Sequence, residues 1–159
     1  MFLYDFFVWL GETAIGSYLN QSTAAFAATE SLHIIALSMV GGAVLITHLS
    51  ALGLTLRSLP PATVVRNLQP VAYLGLALVT VSGLLLVAAG PFKYYTNPLF
   101  PVKLGLLAAA LASHTWLTRR LASGLAHASA ATIVTRALAL ASLLLWTGVV
   151  IAGRWLGLI

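Results

Sequence analysis

The sequence predicts an all-α integral membrane protein, a four-helix up-and-down bundle preceded by an N-terminal interfacial helix. Three observations carry this. Hydrophobic residues make up 60% of the 159 residues and charged residues only 7%, where a soluble domain carries about a quarter charged. With a mean hydropathy of +1.01, the chain has too little polar surface to cover a water-exposed globule. Four separate stretches are apolar over the roughly 20 residues that a membrane-spanning helix needs.

The elements follow in order. Residues 1–19 mix aromatic side chains with Asp5 and Glu12, and three of the chain's phenylalanines fall in the first seven positions. That segment is too short and too charged to span, and reads as a helix lying in the interface. The first span is expected over 31–56, capped by Thr29 or Ser31 and closing at Arg57 before "LPP". The second, over 70–90, follows Pro70, a residue suited to a first helical turn. The third, over 99–118, opens at "NPLFPVK", and the fourth, over 132–153, ends at Arg154. No repeat or separate soluble domain interrupts them, so residues 1–159 read as one transmembrane domain.

Basic residues fall between the spans, which is why the net charge of +5 does not indicate a nucleic-acid partner. Arg57, Arg66, Arg119, Arg120 and Arg136 gather on one side, and Lys93 and Arg154 on the other. The excess of positive charge on the inner side of membrane proteins then puts both termini outside. In a bacterium this means an inner (cytoplasmic) membrane protein with periplasmic termini. Trp9, Tyr94, Tyr95 and Trp155 read as interfacial anchors.

Several chemistries are excluded. The chain has no cysteine, so disulfides, thiolate metal sites and covalent c-type haem attachment are absent. Asp5, Glu12 and Glu30 all precede the expected first span, leaving no carboxylate for an intramembrane ion relay. Serine–histidine–acid and phosphate-loop arrangements do not appear.

What remains is a set of ionisable residues at depth, which membrane proteins keep chiefly for function. His33 and His48 lie fifteen residues apart on the first span, about 22 Å of rise and roughly 60° of rotation. Lys103 and His114 lie eleven apart on the third, about 20° off a common stripe. In an up-and-down bundle these two helices are diagonal neighbours running the same way. His48 should therefore face His114 at an inner level, with His33 opposite Lys103 at an outer one. Two facing histidines in a bundle are a means of gripping haem iron. Gly41, Gly42, Ala43, Gly105, Ala108, Ala109 and Ala110 are small enough to admit a flat macrocycle beside them. The plain alternatives are a histidine reaching the interface from a helix end, small residues serving helix packing, and Lys103 snorkelling to the headgroups. His127 falls in an expected loop and reads as solvated.

"LHIIALSMVGGAVL" in the first span resembles the "LHII…GG" opening of a group of four-span bacterial membrane proteins that includes the HemJ-type protoporphyrinogen oxidases and CopD-like domains. "NPLFPVKLGLLAAALASH" resembles the HemJ-type stretch in which a lysine opens the third span and a histidine closes it. That resemblance implies a haem-associated role for His33 and makes Lys103 the third-span lysine. It departs at "LITHLSALGL", where His48 is added.

The function expected from the sequence is haem b binding for electron transfer, with one haem or two, as a subunit of a larger membrane assembly or a homo-oligomer. The site residues are His33, His48, Lys103 and His114, with the three histidines as metal ligands. Partners are the bilayer, other membrane subunits, and a quinone or another redox partner. A HemJ-like porphyrinogen oxidase and a haem-free structural or copper-handling subunit are the alternatives.

Overall fold

Helices begin and end here where local chemistry satisfies their free backbone groups. A computed structural model describes residues 2–123 and 129–158, apart from the side chains of 129–132. The described chain is all-α: α1 (Phe2–Glu12), α2 (Ala14–Gln21), α3 (Thr23–Ala51), α4 (Pro61–Ala89), α5 (Pro91–Tyr95), α6 (Leu99–Ala122) and α7 (Ser129–Leu158). Four of these, α3, α4, α6 and α7, are long and apolar enough to cross a membrane.

The expected N-terminal helix is two helices. Thr13 separates them: its hydroxyl donates to Leu10 O at 2.7 Å and accepts from Gly16 N at 3.1 Å, capping α2. Ser22 then caps α3 through Ala25 N at 3.3 Å. Thr29 and Ser31 do not cap the first span as expected. Their hydroxyls bond back to Ala25 O and Ala27 O inside a helix that is already running.

The first span also stops early, at Ala51 rather than residue 56. Gly53 sits at φ +73°, and the Gly53 N–H to Ser50 O and Leu54 N–H to Leu49 O bonds close the end. This double bond onto the last turn is the glycine-dependent stop described for helix C-termini. His48 consequently lies in the last turn of α3, not two turns from its end.

The second span opens nine residues before its expected start. Pro61 occupies the first turn, and Pro70 lies inside the helix. Pro70 is tolerated because neighbouring elements can satisfy the one backbone group it frees. Arg66 is thereby a helical, not a loop, residue. At the start of α6, Asn97 Oδ1 accepts from Leu99 N at 2.9 Å, as its position suggests.

The spans form a ring. α3 packs closely along α4, and α6 along α7, giving two tight hairpins; the α4–α6 and α3–α7 seams between them are looser. α3 and α6 therefore stand on one diagonal, α4 and α7 on the other. Tight α3–α4 packing depends on Gly75, where a Cβ would meet Val40 Cγ2 at 2.9 Å and Val40 N at 3.1 Å. Close backbone approach over small residues is how membrane helices gain packing contact.

One core cluster joins Val40, Val44, Ala110, Trp146 and Val149, and a second joins Val65, Leu117, Leu121 and Ala139. Large apolar side chains such as Ile34, Leu84, Ile133 and Leu144 face outward, where lipid covers them.

α1 and α2 lie across the end of the bundle formed by α4 and α5. Asn20 Nδ2 donates to Ala89 O at 2.6 Å, occupying a carbonyl at the C-terminus of α4. Gly16 comes close enough that a Cβ would sit 2.9 Å from Ala88 O. The aromatic side of α1 packs Tyr4 and Phe7 against Phe92, Tyr95 and Phe100.

Candidate functional site

At the inner level, His48 projects from α3 and His114 from α6, and their ring centroids are 5.3 Å apart with planes at 23°. The diagonal placement read from helical spacing brings these two side chains together. His48 is fully buried, and its Nδ1 lies 2.6 Å from Val44 O one turn back. A carbonyl only accepts, so Nδ1 carries the proton and Nε2 keeps its lone pair. That Nε2 is buried with no protein partner. A histidine whose Nδ1–H is held by a carbonyl has the tautomer and orientation of a metal ligand.

His114 is half-buried, and its Nδ1 is likewise sealed in without a partner. Its ring meets that of Trp146 edge-on, with centroids 6.4 Å apart and planes at 90°. The indole Nε1 of Trp146 is a third buried polar atom without a partner in this cluster. Leaving such atoms unpaired costs about 1–3 kcal/mol each, and the chain itself supplies these three with no partner.

His114 also borders a slot between α4 and α6. The slot holds about 50 Å³, room for a few water molecules. Thr47, Gln69, Tyr73 and Thr118 supply its polar lining and Val65 and Ala72 apolar wall. Sequence reading did not single out Gln69 or Tyr73. Their signal was available as a polar pair at i, i+4 on a span, where Gln69 Nε2 now donates to Tyr73 Oη at 2.8 Å.

At the outer level the arrangement differs. His33 Nδ1 is 2.9 Å from Ser82 Oγ on α4. Ser82 spends its own proton on Leu78 O at 2.6 Å, so it accepts from His33 Nδ1–H and leaves His33 Nε2 with a lone pair. Gly83 makes room for that ring, since a Cβ there would stand 3.3 Å from His33 Cε1. Lys103 is half-buried on α6 and lies over Gly153 of α7, with Nζ 3.5 Å from the Cβ position. Nearby on α5, burial and then the Glu30 carboxylate hold the Tyr94 hydroxyl above its usual pKa.

The small residues do not all stand where a macrocycle would need them. Ala43 and Ala110 are buried, but Gly41, Gly105, Ala108 and Ala109 are exposed. On a helix Gly105, Ala108 and Ala109 fall well away from His114, while Gly41, one heptad before His48, shares its side of α3. His127 lies outside the described residues.

Two imidazoles, one from each hairpin, each with an unpartnered ring nitrogen, are donors that could hold a metal. Taking a metal–nitrogen bond of about 2 Å, two imidazoles on opposite sides of one metal have ring centres about 6 Å apart. The two hairpins would thus part by about 1 Å, along the looser seams. Among the described residues no cluster of three or more histidine, cysteine or carboxylate side chains forms. A bare first-row ion would want three or four such ligands, so the pair by itself suits a metal that brings its other ligands with it.

No curated protein and no solved structure matches this chain. One sequence family matches, over residues 6–159. A protein with four membrane-crossing helices and an imidazole pair on their diagonal, the chain belongs to the family of unknown function DUF6644.

Proposed function

We propose that this protein binds haem b through His48 and His114 and passes electrons within the membrane. The observation that carries the reading is the meeting of two imidazoles from diagonal helices at 5.3 Å, each with a buried, unpartnered ring nitrogen. Haem supplies one-electron chemistry when bound. The chain's own contributions are separable from it. Val44 O fixes the tautomer of His48, Trp146 limits how the His114 ring turns, and the apolar clusters above and below exclude water. The two hairpins present one ligand from each side, and their looser seams are where a flat ring enters.

The outer level supports at most a single histidine ligand, since Lys103 is an ammonium when charged and offers no lone pair. A second reading, the HemJ-like oxidation of a porphyrinogen, is favoured by that level, which carries His33 and Lys103, the two residues the resemblance names. In either case the five arginines at the His48–His114 end put that end at the cytoplasmic face of an inner membrane, with both termini outside. Other membrane subunits, or copies of this chain, are the partners proposed, since no described element forms a soluble domain.

A visible spectrum of the purified protein tests the reading. The expected result is a Soret band with a sharp α-band on reduction and a low-spin bis-imidazole resonance. A colourless protein that takes up no added haem would overturn it. Reporter fusions at Asn97 and Ser123 should give opposite sidedness, and the same compartment for both would overturn the topology.

A further inference from the structure

The chain's positive charge collects at the end of the bundle where α3 and α6 stop and α4 and α7 start. Arg57 lies in the α3–α4 connection, Arg66 on α4, Arg119 and Arg120 in the last turn of α6, and Arg136 on α7. Arg66 and Arg136 are one to two turns inside their helices. All three side-chain carboxylates, Asp5, Glu12 and Glu30, stand toward the opposite end. The chain therefore supplies no counter-charge to these arginines.

Positive charge at one end is what membrane orientation requires, but orientation does not distinguish arginine from lysine. This chain does distinguish them. All five cations at this end are arginine, and both lysines, Lys93 and Lys103, lie toward the other. Arginine carries a planar fork of N–H donors that grips a phosphate by two parallel bonds, whereas lysine is a point charge.

The α3–α4 connection adds an independent feature. Arg57 Nε donates to Gly53 O at 2.7 Å, which folds the loop back and leaves the two terminal amino groups of the guanidinium for another acceptor. Beside it Leu54, Leu56 and Leu59 are exposed, at 63%, 42% and 42%. Leu56 holds a left-handed φ of +50°, unfavourable for a side chain of this size, with little burial inside the chain to offset it. Leucines bracketing a free guanidinium suit the boundary between acyl chains and headgroups, where basic residues attract anionic lipid. A phosphate ion in water would leave those leucines uncovered. On α6, Arg120 Nε is buried with no partner.

We propose that this end of the bundle is a rim that binds anionic phospholipids by their phosphates. Arg57 is its best-formed seat, with Leu54, Leu56 and Leu59 among the acyl chains and the arginines of α4, α6 and α7 completing it. The proposal is independent of the haem reading, since no arginine is a metal ligand.

Native mass spectrometry of the full chain in mild detergent, titrated with dioleoyl phosphatidylglycerol or dioleoyl phosphatidylcholine, tests it. Phosphatidylglycerol should bind roughly fivefold more tightly or better, and should slow hydrogen exchange over 53–59. Replacing the five arginines by lysine (R57K, R66K, R119K, R120K and R136K together) keeps the charge and the orientation, and should cut that preference about threefold. If that variant does not fold, Arg57→Lys alone decides, with an expected loss of about twofold. Equal binding of the two lipids would overturn the proposal and leave the arginines to an acidic partner subunit. A preference unchanged by lysine would overturn it in favour of bulk charge, and displacement of the lipid by inorganic phosphate would overturn it in favour of a soluble anion.

Discussion

The two ends of α3 carry the same side chain in different company. His33 and His48 each donate Nδ1–H and keep an Nε2 lone pair, but His33 gives its proton to Ser82 on the adjacent helix and His48 to its own helix at Val44 O. Across the bundle, His48 meets another imidazole, whereas at the outer level Lys103 lies over Gly153 of α7 and offers no imidazole. The inner level therefore brings two imidazoles together and the outer level has one. A shared residue type does not make equivalent sites; the chemistry of the facing helix decides what each can hold.

That contrast can be broken most sharply at the ligands. His48→Ala or His114→Ala should each abolish the low-spin bis-imidazole resonance, measured by electron paramagnetic resonance on purified protein. If both variants keep it in full, the pairing is wrong and the haem belongs near His33. His33→Ala and Lys103→Met should leave the inner resonance intact, removing only a second haem where one is bound. Loss of the inner signal in either would join the two levels into one site.

Smaller effects sharpen the comparison by loading one part of the frame at a time. Gly75→Leu forces a side chain against Val40 within the tight α3–α4 hairpin, and overpacking of this kind costs about 1–3 kcal/mol. The thermal midpoint in detergent should fall, with the inner resonance broadened because Val40 and His48 share α3. Asn20→Ala removes the bond to Ala89 O and should cost about 1 kcal/mol. Its effect should appear as faster hydrogen exchange in α2, with the inner resonance unmoved. A change at His48 on loosening α2 would show that the two ends of the bundle are coupled.

Much of the fold was legible because membrane insertion leaves a coarse signal. Four apolar runs give four spans, and helical spacing alone put Lys103 and His114 on one stripe and His48 across from it. Helix ends were less legible, because caps compete. Ser22, Thr29 and Ser31 are all competent N-caps, and only the path of the chain from α2 selects Ser22. Gly53 in "SALGLTLR" was a stop signal within reach of the sequence, passed over in favour of Arg57. Pro70 fits a first turn and a membrane helix interior equally, and Pro61 claims the first turn.

Composition and periodicity by themselves determined that this chain crosses a membrane with four helices and keeps two imidazoles on one diagonal. Those follow from the cost of placing polar groups in hydrocarbon and from the pitch of the helix, which act locally and need no knowledge of neighbours. Only the tertiary structure decided that the spans pair as two tight hairpins, that Gly41, Gly105, Ala108 and Ala109 are exposed, and that His114 borders a slot with Gln69 and Tyr73. These depend on how helices rotate and approach one another, which is set by contacts such as Gly75 against Val40 between residues far apart in the chain.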